Sequence, residues 1–523
     1  MSYDVIVVGG GHHGLTSACY LARAGRRVLV LEREPWLGGM AYSQETVTEA
    51  PGFVMNPCAV DLLFTNLQPS IVDELHLESF GLQQISPEPW GAYLGPNGES
   101  IGLWRSLEKT VAEIKRFSRR DADKFAELCG LWCDFWWTAM PYLTDHPTRP
   151  RARTVGELAW RALRRRKSLA PVVRMLMSSP YQLIEELFES EEVKSLLAIY
   201  ADGSEAPLRE PGSGAVLGMI MLHIGWGIKR PVGGMQEFSN ALAACLRSHG
   251  GEARTAAPVE QILVSGGRAH GVRLAGGEEI HAQQVVGALD PVTLMSGLVG
   301  AQHVSNELAA QLRTIRVNGW GVNNTKIDVA LERRPDLLCK RPELWGSYML
   351  IGPGMAYLDR AIATSMRGEI PVETPMWALM PSAADRSQVP PGSPGDTLYL
   401  FCTSVPHELS GGRSWQDHRQ AFGDQAIDVL DRFAPGTKDA VIGHYVKSPD
   451  ELRYMTHEGS YVIVDMSFNQ MGPNRPTPLM AGYKTPIEGL WHTGGGAHPI
   501  GGVHGWAGRT TARTVERAIK RGS

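Results

Sequence analysis

The chain has no uninterrupted apolar run of roughly eighteen residues or more, so no segment is expected to cross a bilayer as a helix. Its first apolar run starts at Tyr3, with no basic leader and no small-residue cleavage site before it, so no secretory signal is expected. Cysteine is scarce. Seven occur in 523 residues, with no CxxC pair and no zinc-type spacing, which suits a reducing cytoplasm. Cys129 and Cys133 would share one helix face, as a core stripe or as a redox pair. Neither sign of charge prevails: 51 Lys and Arg face 55 Asp and Glu, and a net charge of −4 gives no reason to expect a nucleic-acid partner. Internal repeats and low-complexity tracts are missing as well. What remains is a globular chain too long for one simple domain, so two or more lobes are expected.

Glycine is plentiful, and its placement carries the first functional signal. Asp4-Val5-Ile6-Val7-Val8 is a β-branched strand, and Gly9-Gly10-Gly11-His12-His13-Gly14 follows at once. Leu15 to Ala24 predicts a helix, and Arg27 to Leu31 a second strand closed by Glu32. This order of strand, glycine turn, helix, strand and acid is that of a dinucleotide-binding βαβ unit. Gly9 allows the tight turn, Gly11 lets backbone approach a pyrophosphate, and Gly14 lets the helix pack close to the strand. The helix start offers free N–H groups to the phosphates. Glu32 would accept hydrogen bonds from a ribose. A glycine-rich turn in an unrelated α/β protein is the plainer alternative, and the turn alone does not say which dinucleotide binds.

Arg33-Glu34-Pro35-Trp36-Leu37-Gly38-Gly39-Met40 comes next. This arginine, four-residue gap and Gly-Gly resembles the usual continuation in FAD-dependent oxidoreductases of the two-dinucleotide-binding-domain type, with Met40 where those proteins usually carry a basic residue. Further on, Gly233-Gly234-Met235 leads into a helix from Gln236 to Ser248. Short strands and tight turns follow: Val259 to Val264, the hairpin signal Gly266-Gly267, Gly271 to Leu274, Gly276-Gly277, Glu279-Ile280, and Val285 to Ala288. The block reads as a return to the nucleotide domain, and the resemblance puts the Val259 strand backbone beside the adenine.

The stretch from Thr485 to Arg509 is the most specific in the chain. Gly489 to Thr493 predicts a strand, the glycines after it let backbone approach a flat or charged group, and Val503 opens a helix that runs to about Lys520. Together with Gly233-Gly234-Met235 this stretch resembles the phytoene desaturase and pyridine-nucleotide-disulfide-oxidoreductase-domain-2-like family, within the amine-oxidase-type flavoproteins. A weaker likeness extends to Asn474-Arg475-Pro476. Family members typically read His-Pro-Gly-Gly-Gly-Val where this chain has His498-Pro499-Ile500-Gly501-Gly502-Val503, so Ile500 replaces one glycine. The resemblance implies an α/β, Rossmann-like two-dinucleotide-binding-domain FAD fold with a mixed α+β substrate lobe. It implies FAD as cofactor, held by Gly9, Gly11, His12, His13, Gly14, Glu32, Arg33, Gly38, Gly39, Met40, Val259, Gly495, Gly501, Gly502 and Val503. The cofactor domain is expected from residues 1–59, 226–295 and 480–523, and the substrate lobe from 60–225 and 296–479.

His498 and His504 lie on a loop expected to face the flavin, where an imidazole could move a proton, and they are the catalytic candidates. The alternative is that they order the loop by hydrogen bonds. His12 and His13 suit loop shaping better than base catalysis. His492, His498 and His504 recur every six residues but straddle a strand, a loop and a helix start, so no metal site is expected.

The intervening segments choose the substrate. Leu107 to Leu143 predicts helix, with Trp132, Phe135, Trp136 and Trp137 either lining an apolar tunnel or filling a core. Trp320 to Leu331 and Thr397 to Val405 predict strands, Ser414 to Phe433 a helix, and Gly459 to Met466 a strand. From Arg149 to Arg174 the chain turns basic, with Trp160, Leu163 and Leu169 between the cations. This is either a solvated face or a helix lying on an anionic membrane surface. The family resemblance implies dehydrogenation, by hydride transfer to flavin N5, that desaturates or isomerises a lipophilic carotenoid- or terpenoid-like substrate; the electron acceptor is left open among O₂, a quinone and another protein. An FAD-dependent amine oxidase using O₂ and a non-catalytic FAD-stabilised scaffold are the alternatives. The protein is expected in the cytoplasm, with peripheral membrane contact through the basic segment a further expectation.

Overall fold

A computed structural model describes residues 3–68, 70–204, 208–317 and 322–522. Tyr3–Val8 forms the strand at the centre of a seven-stranded sheet. It pairs in parallel with Val28–Leu31 on one side and with Glu279–Gly287 on the other, and Leu490–His492 adds in parallel beyond that. Glu252–Arg254 closes the opposite edge. The unbroken apolar run in the first strand follows from burial of both faces. Val5 and Val7 enter one hydrophobic cluster, and Ile6 and Val8 enter another across the sheet.

The N-terminal helix occupies His12–Arg23, three residues earlier than its apolar periodicity suggests, because the glycine turn passes straight into the helix. The Gln236–Ser248 helix falls where its pattern places it. Strands Val259–Ser265 and Arg268–Leu274 flank Gly266-Gly267, whose φ values of +57° and +77° supply the left-handed hairpin turn. Two expected short strands are one: Glu279–Gly287 runs without a break, pairing antiparallel at its start and parallel at its end. The C-terminal helix begins at Trp506 rather than at Val503, because Gly505 takes φ +72° and ends the loop there. It packs against the N-terminal helix, and Gly508 permits this: a Cβ there would stand 2.3 Å from the His13 carbonyl oxygen.

A second seven-stranded sheet runs in the order Val441–Lys447, Val322–Leu331, Asp396–Pro406, Met376–Leu379, Tyr348–Ile351, Gly91–Leu94, Ser100–Leu103. Tyr348–Ile351 pairs in parallel with Gly91–Leu94, so strands far apart in sequence share this sheet. The expected strand from Trp320 starts at Val322; residues 318–321 lie outside the described residues. The expected strand over Gly459 to Met466 does not form. That segment is irregular, held by side-chain bonds such as Thr456 Oγ1 to Ser460 O at 2.9 Å and Asn323 Nδ2 to Gly459 O at 2.9 Å, in place of a ladder.

Leu107–Lys115 and Arg119–Leu143 are separate helices, divided where Ser118 caps the second through the Asp121 N–H. Within the second, Trp132 and Trp136 fill a core. Trp136 Nε1 donates to Gly218 O at 2.8 Å, so the helix Ala215–Trp226 crosses at contact distance. Cys129 is buried in the same seam, but Cys133 is exposed, so the two do not form one core stripe. A Cβ at Gly218 would lie 2.3 Å from the Trp132 ring. Gly218→Ala should therefore cost about 1–3 kcal/mol by overpacking. This would be read as a lower urea midpoint at unchanged slope, and an unchanged midpoint would mean the two helices can separate freely.

Candidate functional site

A cavity of about 360 Å³ opens at the C-terminal end of the central parallel strands, where open α/β sheets bind ligands. At one end lie Gly9, Gly11, His12, His13, Gly14, Glu32, Arg33 and Val259. The three glycine roles can be read from the space around each. Gly9 takes φ +103°, and a Cβ at Gly14 would stand 2.2 Å from Gly9 O, so these two serve the turn and the helix–strand packing. A Cβ at Gly11 would meet nothing nearer than Gly39 Cα at 3.8 Å, so its open side belongs to the cavity. No side chain caps the helix at Gly11, which leaves its first N–H groups for a ligand. His12 Nε2 and both ring nitrogens of His13 are buried at the cavity, with the Gly502 backbone as their nearest polar partner. The free N–H groups of an uncapped helix start, beside these rings, fit a pyrophosphate.

Glu32 has a role the motif does not reveal. Its carboxylate accepts from Gly10 N at 2.6 Å and from Glu34 N at 3.0 Å, so it braces the glycine turn as well as facing the cavity. Burial raises its pKa, against the pull of those two N–H bonds. Arg33 lies over the Tyr454 ring at 4.6 Å and donates to the Tyr454 carbonyl, placing it at the cavity rim. Gly38 and Gly39 pack the second loop onto the first. Gly38 N donates to Gly10 O at 2.9 Å, and a Cβ at Gly39 would stand 2.9 Å from Gly11 Cα. Gly39 and Met40 line the cavity; Gly38 stands behind them.

At the other end the walls are Gly494, Gly495, Gly501, Gly502, Val503, Cys58, Ala59 and an aromatic group that includes Tyr399, Phe401 and Tyr461. Leu63, Gly203, Tyr348, Trp377, Gly501 and Gly502 also border a second, inner compartment of about 90 Å³, otherwise walled by residues that include Phe64, Trp90, Tyr200, Met219 and His223. Gly501-Gly502 therefore stands between the two spaces.

His498 and His504, the expected catalytic pair, do not line either space. His498 turns to the end of the Arg119–Leu143 helix, with Nε2 at 3.3 Å from Tyr142 O. His504 Nδ1 accepts from Trp506 N at 3.0 Å, which leaves Nε2 to donate to Ile500 O at 2.9 Å. It staples the loop to the C-terminal helix. The glycines bring backbone to the cavity and point these side chains away from it.

The roles of three residues go beyond the sequence pattern, although Arg475 lies in the Asn474-Arg475-Pro476 stretch of weaker family likeness. Arg475 is buried and donates to four carbonyls: Ala497 at 3.1 Å, Asp465 at 2.8 Å, Val464 at 3.0 Å and Gly495 at 2.8 Å. It fixes the C-terminal glycine loop, and its positive charge adds to burial, the larger cause, in lowering the pKa values of His492, His498 and His504. Lys326 is fully buried, paired with Asp328, donating to Asn56 O at 2.7 Å and lying under the Tyr399 ring at 3.7 Å. A Lys-x-Asp pair within the strand Val322–Leu331 is its sequence signal. His223 is the one imidazole facing the inner compartment, and its signal is a lone polar residue in the apolar run Ala215 to Ile224.

Burial lowers the pKa of His12, His223 and His492 to about 4, and of His498 and His504 to about 3, from an ordinary 6.5. These rings are neutral in the fold and charge on unfolding. The unfolded chain thus binds more protons between about pH 6.5 and these values, and stability should fall as pH drops through that window. The slope is at most about 1.4 kcal/mol per pH unit for each imidazole. Denaturant midpoints at pH 7 and pH 5 test the sign; a midpoint that rises on acidification would mean the rings are charged in place. For Arg475, Arg475→Lys keeps the charge but loses the fork, and should weaken flavin retention by about tenfold or more. Flavin titration of the stripped protein measures it, and unchanged affinity would remove Arg475 from the site.

The flavin containing amine oxidoreductase family profile matches residues 14–350. The chain is 29% identical to pyridine nucleotide-disulfide oxidoreductase domain-containing protein 2 of Rattus norvegicus, over 99% of this chain and 94% of that protein. It is 25% identical to an all-trans-zeta-carotene desaturase of Myxococcus xanthus, over 95% and 90%. The solved structure of wild-type putrescine oxidase bound to putrescine superposes with a TM-score of 0.62 over 100% of both chains at 16% identity, which is a likeness of fold.

Proposed function

The chain belongs to the flavin containing amine oxidoreductase family, and from that premise we propose that it dehydrogenates a lipophilic, terpenoid- or carotenoid-like substrate. Its cofactor is FAD, which when bound supplies the hydride acceptor. The observation that carries the reading is the inner compartment. Its walls are Phe64, Trp90, Tyr200, Met219, Ile228, Leu350, Met466 and their neighbours, and among the described residues no carboxylate lines it. An ammonium group entering there would be stripped of water without a counter-ion, whereas a hydrocarbon would gain from burial.

The carboxylates of the outer cavity are engaged elsewhere. Asp61 is held by Arg230 at 2.8 Å with both side chains fully buried. Asp290 faces His457 at 2.6 Å, and Glu32 braces the first turn. His223, neutral through burial, offers a lone pair and an N–H without adding charge. Its ring stacks beside Phe64 at 5.9 Å and meets Trp90 at 4.9 Å, which holds it in one orientation. The enclosed walls keep water from the carbon that loses hydride, and the Gly501-Gly502 backbone lets that carbon approach the cofactor cavity. Desaturation releases a proton together with the hydride; reoxidation by O₂ or a quinone would close the cycle. The relative from Myxococcus xanthus, a zeta-carotene desaturase, supports the substrate class.

A second reading has one observation in its favour. Tyr348, Trp377, Tyr399 and Phe401 present aromatic rings to the outer cavity, a surface that also suits a cation, as an amine oxidase would need. Anaerobic mixing of the FAD-loaded protein with substrate panels separates the readings. Bleaching by a polyene or terpenoid and not by amines is expected. Bleaching by amines alone would select the oxidase, and no bleaching by any compound would select a scaffold that retains FAD. Filling the inner compartment by Met219→Trp should lower kcat/KM for the lipophilic substrate about tenfold or more at unchanged flavin content; undiminished turnover would place the substrate elsewhere.

A further inference from the structure

The segment from Arg149 to Met177 departs from the rest of the protein in both charge and cover. It holds nine Arg and Lys and one acid, Glu157, in a chain whose net charge is −4. It folds as two helices, Ala152–Arg164 and Arg166–Met177, packed on the long Arg119–Leu143 helix.

A surface helix normally turns its apolar stripe inward. Here much of it faces out. Val155, Trp160, Leu163, Val173 and Met177 are 49–64% exposed. These are five of the twelve exposed large hydrophobics among the described residues, gathered in two adjacent helices, so chance scatter does not account for them. Their spacing is helical: Val155, Ala159 and Leu163 stand one turn apart, as do Val173 and Met177. The inner faces are served by other residues, including Thr154, Val172 and Met175.

The cations are placed to match. Arg151, Arg161, Arg165 and Arg174 pair with Asp145, Glu157, Asp134 and Glu186. Arg153, Arg164, Arg166 and Lys167 have no ion-pair partner among the described residues. Arg164 lies over the Trp160 ring at 4.5 Å, so cation and aromatic ring present together. No helix among the described residues is long and apolar enough to cross a membrane, so contact with a bilayer would be peripheral.

We propose that these two helices dock on an anionic lipid surface. Trp160, Leu163, Val173 and Met177 enter the boundary between headgroups and acyl chains, and Arg153, Arg164, Arg166 and Lys167 engage the lipid phosphates. A laminar anionic surface suits single apolar side chains separated by unpaired cations. A protein partner of comparable affinity would call for a contiguous apolar core within a polar rim. The proposal does not depend on the reaction assigned above.

The test is flotation of the FAD-loaded protein with vesicles of phosphatidylcholine alone or of phosphatidylcholine with phosphatidylglycerol. At least about tenfold more protein should float with the anionic vesicles, and raised salt should release it. The pair Leu163→Glu and Val173→Glu should abolish flotation, and so should the trio Arg164→Glu, Arg166→Glu and Lys167→Glu. The same three cations changed to the alternative cation (R164K, R166K, K167R) should float like the parent. Flavin absorbance and thermal midpoint should stay at parental values throughout. The proposal fails if neither vesicle recruits the protein or if the charge-reversed trio floats as well as the parent. It fails too if light scattering shows that the parent is an oligomer which the Leu163 and Val173 substitutions dissociate while no vesicle binding occurs.

Discussion

Backbone packed directly on backbone around the first turn is the constraint from which the cofactor end follows. Gly14 sits where a Cβ would strike Gly9 O at 2.2 Å, Gly39 where it would crowd Gly11 Cα at 2.9 Å, and Gly508 where it would strike His13 O at 2.3 Å. Each contact joins a different element to the turn: its own helix, the second loop, and the C-terminal helix. Removing side chains at these points lets three segments, about five hundred residues apart at the extremes, converge on one strand end. Gly11 is left as the glycine whose open side faces the ligand. The carboxylate of Glu32 completes the assembly from below by holding Gly10 N.

The electrostatics of the opposite end rest on Arg475. A guanidinium spread over four carbonyls fixes loop geometry that glycines alone leave soft. Its charge also helps keep the neighbouring imidazoles neutral. A fixed cation and neutral rings thus stand behind the C-terminal glycine loop.

The inner compartment depends on the parallel pairing of Gly91–Leu94 with Tyr348–Ile351. Through it Trp90 and Gly91 come to face Tyr348 and Leu350, and the helix carrying His223 closes the same space. The tryptophans at 132 and 136, which could have formed a tunnel, pack the helices that hold this wall instead. The inner compartment is thus built from other aromatics, Trp90 and Trp377 among them.

The sequence by itself determined the features governed by near neighbours. The strand, glycine turn and helix at the N-terminus, the Gln236–Ser248 helix and the Gly266-Gly267 hairpin all follow from turn chemistry and apolar periodicity, which act within a few residues. Family membership and FAD were legible for the same reason, since each cluster of glycines that permits close approach lies within a few residues of sequence. Tertiary structure alone decided where side chains point. His498 and His504 sit on the right loop yet face Tyr142 and the C-terminal helix, because the backbone that approaches the cavity excludes them from it. Arg475 acquires its partners from segments that meet only on folding. His223 faces a ligand space only because residues from Phe64 to Gly502 are brought around it, and that closure depends on long-range packing that no local pattern encodes.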